Sequence, residues 1–585
     1  MDKMINLKID GVAVSVPDGT TILEAARLAG VNVPTLCYMK DMNQIGACRI
    51  CVVEANEGRG FRTVASCVYP VTEGMEVKTN SIAVQKSRKT TLELLLSTHE
   101  RKCLSCVRSD NCEFQNLCRD YGVEKEDKFD GDKPVYEIDD SAPHMIRDNN
   151  KCVLCRRCVA ACAAQHVAVI GTNDRGIDTN ISCGFNLNLA DTGCVSCGQC
   201  IVNCPTGALR EKDDTDKVFA AINDPEKVVI VQTAPAVRAA LGEDFGMEIG
   251  TGVEGKMVAA LRRLGFDKVF DTDVGADFTI MEEGTEFIHR LQNGGTLPMI
   301  TSCSPGWIKF CETYHPNLIP NLSSCKSPQQ MFGAIIKTWY AEKNGIDPKN
   351  IVSVSVMPCT AKKFEIQRDD QSAAGLPDLD ISITTRELAR MIKRAGIDFK
   401  NLPDEQFDNP LGEGTGAAVI FGATGGVMEA ALRTVAEVLE GKVIENVDYQ
   451  AVRGTDAIKE ATLNIAGKEV NICVVSGLDA AHKVLTAVEN GEKNYHFIEI
   501  MCCPGGCVNG GGQPIQPAHI RATVDLKGKR AKALYSYDVA NTKRKSHESE
   551  AVKAVYGEFF GEPGSHKAHE ILHTSYVDRS KSVVK

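Results

Sequence analysis

Residues Phe497–Pro514 read FIEIMCCPGGCVNGGGQP. The apolar run from Phe497 to Met501 predicts a short buried strand. It gives way to Cys502, Cys503 and Cys507 on a glycine-rich turn. Glycines let a backbone come close to a bulky inorganic ligand and take up positive φ. Two other strand-like runs end in the same fashion. LPMI leads into TSCSPGW (Thr301–Trp307), and IVSVSVM leads into MPCTAKKFE (Met357–Glu365). Three strands distant in sequence thus carry Cys at their C-terminal ends, where open α/β sheets build their sites. The pattern predicts one iron–sulfur active site gathered from three loops, with the rest of the chain feeding it electrons.

A chain of 585 residues is too long for a single core, so several domains are expected. A net charge of −11 argues against a nucleic-acid binder, which would carry a basic field. The anomaly is 25 cysteines, many in C-x-x-C runs, which favour metal ligation over a disulfide framework. The opening MDKMINLKIDG has neither the apolar core of a signal peptide nor the Arg/Ser-rich character of a transit peptide. No apolar run is long enough to span a bilayer, so no membrane partner and a reducing cytoplasm are expected.

The first 80 residues begin with alternation at Ile5, Leu7 and Ile9, a turn at Asp10-Gly11, and alternation at Val12, Val14 and Val16. This predicts a hairpin. Thr21 and Glu24 predict a capping box for the helix ILEAARLA. A Cys loop follows, Cys37-x10-Cys48-x2-Cys51-x15-Cys67. The segment resembles the β-grasp [2Fe–2S] domain at the front of several redox subunits, although its spacing is not that of plant-type ferredoxins. A zinc site is the alternative; the long loop and the hairpin–helix frame favour [2Fe–2S].

Residues 81–120 predict a helix and then His99-x3-Cys103-x2-Cys106-x5-Cys112. Three Cys leave one iron of a [4Fe–4S] cubane without a thiolate, and a neutral imidazole from His99 can fill that place. Cys118 is expected to pack. Between 140 and 212 lie two runs of ferredoxin spacing. They are Cys152-x2-Cys155-x2-Cys158-x3-Cys162 and Cys194-x2-Cys197-x2-Cys200-x3-Cys204-Pro205. In two-cluster ferredoxins the fourth Cys of each run ligates the other cluster. One cubane would therefore take Cys152, Cys155, Cys158 and Cys204, and the other Cys194, Cys197, Cys200 and Cys162. Cys183 is left over, and residues 120–150 should form a surface linker.

From 213 to 585, KVVIVQTAP, DKVFDTDVG, LPMITSC, IVSVSVMPC, AAVIFGATGG, VNICVVSG and HFIEIMCC predict strands. Helical patterns alternate with them, and a charged helical tail closes the chain. The reading is a multidomain α/β protein whose large last domain has mostly parallel sheets. Phe421–Gly426 lacks dinucleotide-loop spacing, so this chain is not expected to bind a nicotinamide or flavin itself.

With TSCSPGW, MPCTAKKFE and EIMCCPGGCVNGGGQP in one order behind these cluster motifs, the chain resembles an [FeFe]-hydrogenase catalytic subunit. The resemblance covers essentially the whole chain and implies reversible H2 oxidation and proton reduction. It implies an H-cluster: a cubane joined through a Cys thiolate to a two-iron unit carrying CO, cyanide and an azadithiolate bridge. One [2Fe–2S] and three accessory [4Fe–4S] clusters would supply it. Cys359, Cys503 and Cys507 would hold the cubane, with Cys507 bridging. Pro235, Met357, Met501 and Lys362 would line the two-iron pocket. Cys303, Glu283, Ser323, Glu286 and, outermost, Arg290 would relay protons. The first loop departs from the family's adjacent pair of Cys. Cys303 falls on the relay position and Ser304 on the ligand position, so either Ser304 ligates or the loop shifts and Cys303 does. The TSCSP form resembles subunits of multi-subunit, electron-bifurcating NAD(P)-linked enzymes. It implies ferredoxin, flavin- and NAD(P)-binding subunits and maturation proteins as partners. A stand-alone ferredoxin-dependent hydrogenase and a non-catalytic iron–sulfur assembly protein are the alternatives.

Overall fold

The computed structural model describes residues 3–109 and 111–581. Strands β1 (Met4–Ile9) and β2 (Val12–Pro17) form the hairpin, and Ile5, Leu7 and Ile9 face the core. Thr21 caps the helix Ile22–Leu28 by accepting the Glu24 N–H. The Glu24 carboxylate turns to Arg27 and Tyr38 instead of back to the cap, so only half of the expected box is made. Strands β3 (Val52–Asn56), β4 (Arg62–Ala65) and β5 (Glu76–Lys78) complete a sheet in the order β2-β1-β5-β3-β4.

Helices Ile82–Thr98 and Glu113–Asp120 follow. Residues Glu124 to Asp132 are exposed, as a linker should be. From Ala142 to Asp148 the chain instead turns inward, burying Ala142, Met145 and Asp148. The cause is strand pairing. Strands β6 (Met145–Arg147), β7 (Gly171–Asn173), β8 (Asn180–Ser182) and β9 (Leu209–Glu211) make two short ladders, β6 with β9 and β7 with β8.

The last domain holds β10 (Val228–Thr233), β11 (Lys268–Asp271), β12 (Met299–Ile300), β13 (Ile351–Met357), β14 (Ile381–Thr384), β15 (Ile458–Ile465), β16 (Lys468–Ser476) and β17 (Phe497–Met501). They form two four-stranded sheets, β11-β10-β13-β14 and β12-β17-β16-β15. The first is parallel throughout, and in the second only β15 runs antiparallel to its neighbour. The run AAVIFG is not a strand. It forms the helix Gly416–Val419 and a tight turn to Gly422. A Cβ at Gly422 would lie 2.4 Å from Leu534 Cδ1, so small residues here serve close packing against the helix Leu526–Ala540. Among the described residues no helix is long and apolar enough to cross a membrane.

Candidate active site

The two sheets of the last domain present the C-terminal ends of β13 and of β12 and β17 to one buried cavity. Its lining includes Cys303 and Ser304 after β12, Met357, Cys359 and Lys362 after β13, and Met501, Cys502, Cys503 and Cys507 after β17. Pro235 joins them from the first turn of the helix that follows β10. All three Cys loops therefore converge, although they belong to two sheets. Backbone proximity holds the third loop to the second. The Gly512 N–H donates to the Pro358 carbonyl at 2.8 Å, and a Cβ on Gly510 would lie 2.1 Å from that oxygen. Gly506 takes φ +94°, and a Cβ there would meet Thr424 N at 2.6 Å.

These residues fit a thiolate-bound iron–sulfur group. The cavity offers about 80 Å³ to the centre of a water-sized sphere, several times the ~10–15 Å³ that one water needs. Burial, with Cys503 nearby, pushes the Cys359 thiol well up and the Cys507 thiol to about 12. Thiols raised in this way are poor acids on their own, whereas metal coordination deprotonates thiols outright. Lys362 brings the compensating charge. Its Nζ donates to Ser327 Oγ at 2.7 Å, Glu365 Oε2 at 2.9 Å and the Cys303 carbonyl at 3.3 Å. No motif singles out Glu365, yet it also accepts from Ser327 and Gln329 and so fixes the lysine.

Near Cys303 the long helix Thr272–Asn293 delivers Glu283, with Glu286 further along the same helix. Glu283 is fully buried, and among the described residues neither carboxyl oxygen has a hydrogen-bond partner. Burial pushes its pKa up to about 8, with nearby Glu286 adding to the rise. Burial likewise raises the Cys303 thiol, followed by the Glu283 charge. The Ser323 hydroxyl, close to Glu283, donates to Glu286 Oε2 at 3.1 Å. Arg290 Nη2 donates to Glu286 Oε1 at 2.5 Å, and the guanidinium is anchored by the Leu322 carbonyl at 2.8 Å. Sequence reasoning misses Ser324 and His573. Ser324 Oγ lies 3.1 Å from Glu286 and 2.8 Å from His573 Nδ1, and His573 Nε2 reaches Glu282 at 3.0 Å. No spacing in the sequence ties the tail to this helix.

The N-terminal Cys sets also come together. Hydrogen bonds from Cys48 and Cys67 pull the Cys37 thiol down, and Cys51 interacts with Cys67. Cys152, Cys155, Cys158 and Cys204 line one small cavity. Cys162 neighbours Cys194, Cys197 and Cys200. Cys106 lies near both Cys103 and Cys112. His99 is buried, its ring edge-on to Phe114 at 5.2 Å, and its Nδ1 has no hydrogen-bond partner among the described residues. Burial lowers its pKa to about 4, so the ring is neutral, the form that binds metals. Cys183 instead accepts from Arg147 Nη1 at 3.5 Å.

Known proteins match this chain in sequence along nearly its whole length. NADP-reducing hydrogenase subunit HndD of Solidesulfovibrio fructosivorans is 50% identical over 99% of this chain and 100% of its own length. This chain is an iron-only, or [FeFe]-, hydrogenase. The C-terminal domain of the iron-only hydrogenase large subunit matches residues 227–511, and the iron hydrogenase small subunit matches 524–579. A 2Fe-2S iron-sulfur cluster binding domain matches 2–81, and the iron–sulfur binding region of NADH-ubiquinone oxidoreductase G matches 88–127. Iron hydrogenase 1 of Clostridium pasteurianum is 46% identical over 98% of this chain and 100% of its own. A solved variant of [FeFe]-hydrogenase HydA1 from Chlamydomonas reinhardtii superimposes with a TM-score of 0.56 at 41% identity, covering 64% of this chain and all of that one. The hydrogenase thus carries 2Fe–2S and 4Fe–4S binding domains ahead of its catalytic domain.

Proposed function

We propose that Cys359, Cys503 and Cys507 would hold the cubane of an H-cluster, whose other part is a two-iron unit. Pro235, Met357, Met501 and Lys362 enclose that unit, the lysine by presenting an ammonium to its anionic cyanides. The bound group supplies the redox chemistry by which H2 is made or split. The protein positions the group, excludes water and moves protons. Cys303 Sγ is the inner proton carrier. Glu283 takes the proton next, then Ser323 and Glu286, with Arg290 at the solvent end; each link lies near the next, as proton transfer requires. The observation that carries this reading is the one cavity that brings Cys359, Cys503, Cys507, Cys303 and Lys362 together. Infrared spectra of enzyme matured anaerobically with its assembly proteins test it. Bands from iron-bound CO and cyanide, together with H2 evolution, are expected. A preparation with iron–sulfur clusters alone and no H2 turnover overturns it.

Residues 1–80, 81–120, 140–212 and 213–585 serve as a β-grasp [2Fe–2S] domain, a His/Cys3 domain, a two-cluster ferredoxin-like domain and the H-cluster domain. The accessory set is one [2Fe–2S] and three [4Fe–4S] clusters. Packing supports a continuous relay: Cys37, Cys48, Cys112 and Cys155, from three of these sets, share one apolar cluster. Electrons are exchanged with ferredoxin and, through partner subunits, with NAD(P). The full-length likeness to a subunit named as NADP-reducing supports the second acceptor. If the isolated chain, given H2, reduces NADP without partners, the division of labour among subunits is wrong.

A further inference from the structure

The proposed cubane has only three assigned thiolates, and the first loop offers a serine where a fourth would belong. The other ligand sets are complete: four Cys for the [2Fe–2S] cluster, four for each ferredoxin-like cubane, and His99 with three Cys for the remaining one. Seven Cys are then unassigned: Cys118, Cys183, Cys303, Cys311, Cys325, Cys473 and Cys502. Of these, Cys303 and Cys502 line the active-site cavity. Cys303 lies near Glu283, the next link of the proposed proton relay.

Cys502 has the opposite surroundings. It is 3% exposed, and its side chain lies near the thiols of Cys503 and Cys197. Cys197 belongs to a set that already has four thiolates, so the open ligand position lies on the Cys503 side. The Ser304 hydroxyl oxygen accepts the Cys502 backbone N–H at 3.2 Å, which ties the serine to the same turn. A Cβ on Gly306 would come within 2.7 Å of Cys502 Sγ, so the first loop keeps that space for the sulfur. Iron–sulfur clusters select soft thiolate over a hard alkoxide. A serine ligand would also have to surrender a far less acidic proton.

We infer that Cys502, and not Ser304, furnishes the fourth thiolate of the cubane held by Cys359, Cys503 and Cys507. The thiol proton passes to water during assembly as the Fe–S bond forms, with no change in oxidation state. The exchange of a serine into the first loop is thereby offset by a cysteine in the third. The inference rests on the H-cluster reading of the cavity.

The test uses the full chain produced anaerobically without maturation proteins, so that clusters are read without turnover. Iron, sulfide and the reduced-state EPR spectrum are measured for wild type, Cys502→Ala, Ser304→Ala and the double variant Ser304→Cys with Cys502→Ala. Cys502→Ala is expected to lose one cubane's iron, or to keep it with an altered spectrum, while its [2Fe–2S] signal persists as a control for folding. Ser304→Ala should match wild type, and Ser304→Cys should restore the cubane in the Cys502→Ala background. Unaltered iron and spectrum in Cys502→Ala, loss of the cubane in Ser304→Ala, or no restoration in the double variant overturns the assignment. Wild-type chain that acquires this cubane but never an H-cluster on maturation fails the hydrogenase-site reading instead.

Discussion

Cys303 lines the cavity and lies near the Glu283 carboxyl, which is fully buried. If Cys303 is the inner proton carrier proposed above, removing its thiol breaks the relay at its first step. Cys303→Ala should leave iron content unchanged and cut H2 turnover ~10²–10⁴-fold, the range typical of positioned proton donors. Dye-linked H2 evolution checks it, and wild-type turnover would remove Cys303 from the relay. Glu283 permits a test against pH. Its pKa rises from 4.5 to about 8 on folding, so the folded chain holds a proton that the unfolded chain releases. Stability from this group is therefore greatest at low pH and is lost as pH climbs from the unfolded value through about 8. Glu283→Gln, neutral at every pH, should show a smaller drop in apparent Tm between about pH 5 and about pH 8 than wild type. An equal drop in both would mean that the carboxyl is already ionised near neutrality.

Elements close to the site were legible where pattern and chemistry agreed. The strands β10, β13 and β17 are rich in apolar residues and buried almost throughout, as central parallel strands should be. AAVIFG carries the same pattern and is helical, because periodicity cannot separate a short buried helix from a strand. Four-residue β14 follows an irregular loop and gives too little pattern to register. The role of Cys502 was hidden for another reason. Its neighbour Cys503 accounts for the motif, and contacts with Ser304 and Gly306 distinguish the two. At this scale the glycine turn is the weak point. Gly510 has an ordinary φ, so Gly510→Ala is not strained in itself, but its methyl would press the Pro358 carbonyl at 2.1 Å. The variant should separate the second loop from the third and lose the active-site cubane while keeping the accessory clusters. Iron analysis with EPR decides, and full retention of all clusters would show that the seam can give.

Across the whole molecule, the proposed electron path runs through packed segments. Cys37 and Cys48 share an apolar cluster with Cys155, and Asn43 Nδ2 donates to the carbonyls of both Cys37 and Cys155. Removing the first cluster should therefore uncouple partners without silencing the site. Cys67→Ala is expected to lose the [2Fe–2S] signal and most partner-linked turnover, while evolution driven by a small reduced dye stays near wild type. Loss of both activities together would mean that the front domain is needed for the fold of the rest.

One backbone seam constrains how such enzymes can be recombined. A Cβ on Gly511 would sit 2.2 Å from the Cys197 carbonyl, and one on Gly198 would sit 2.4 Å from Thr360 Oγ1. The two turns carrying neighbouring clusters therefore interlock with no space for a methyl group. A chimera that grafts the ferredoxin-like module of one homologue onto the catalytic half of another inherits only one face of this joint. Its success hinges on matching Gly198 with the residues at 360 and 511, far more than on where the crossover is cut.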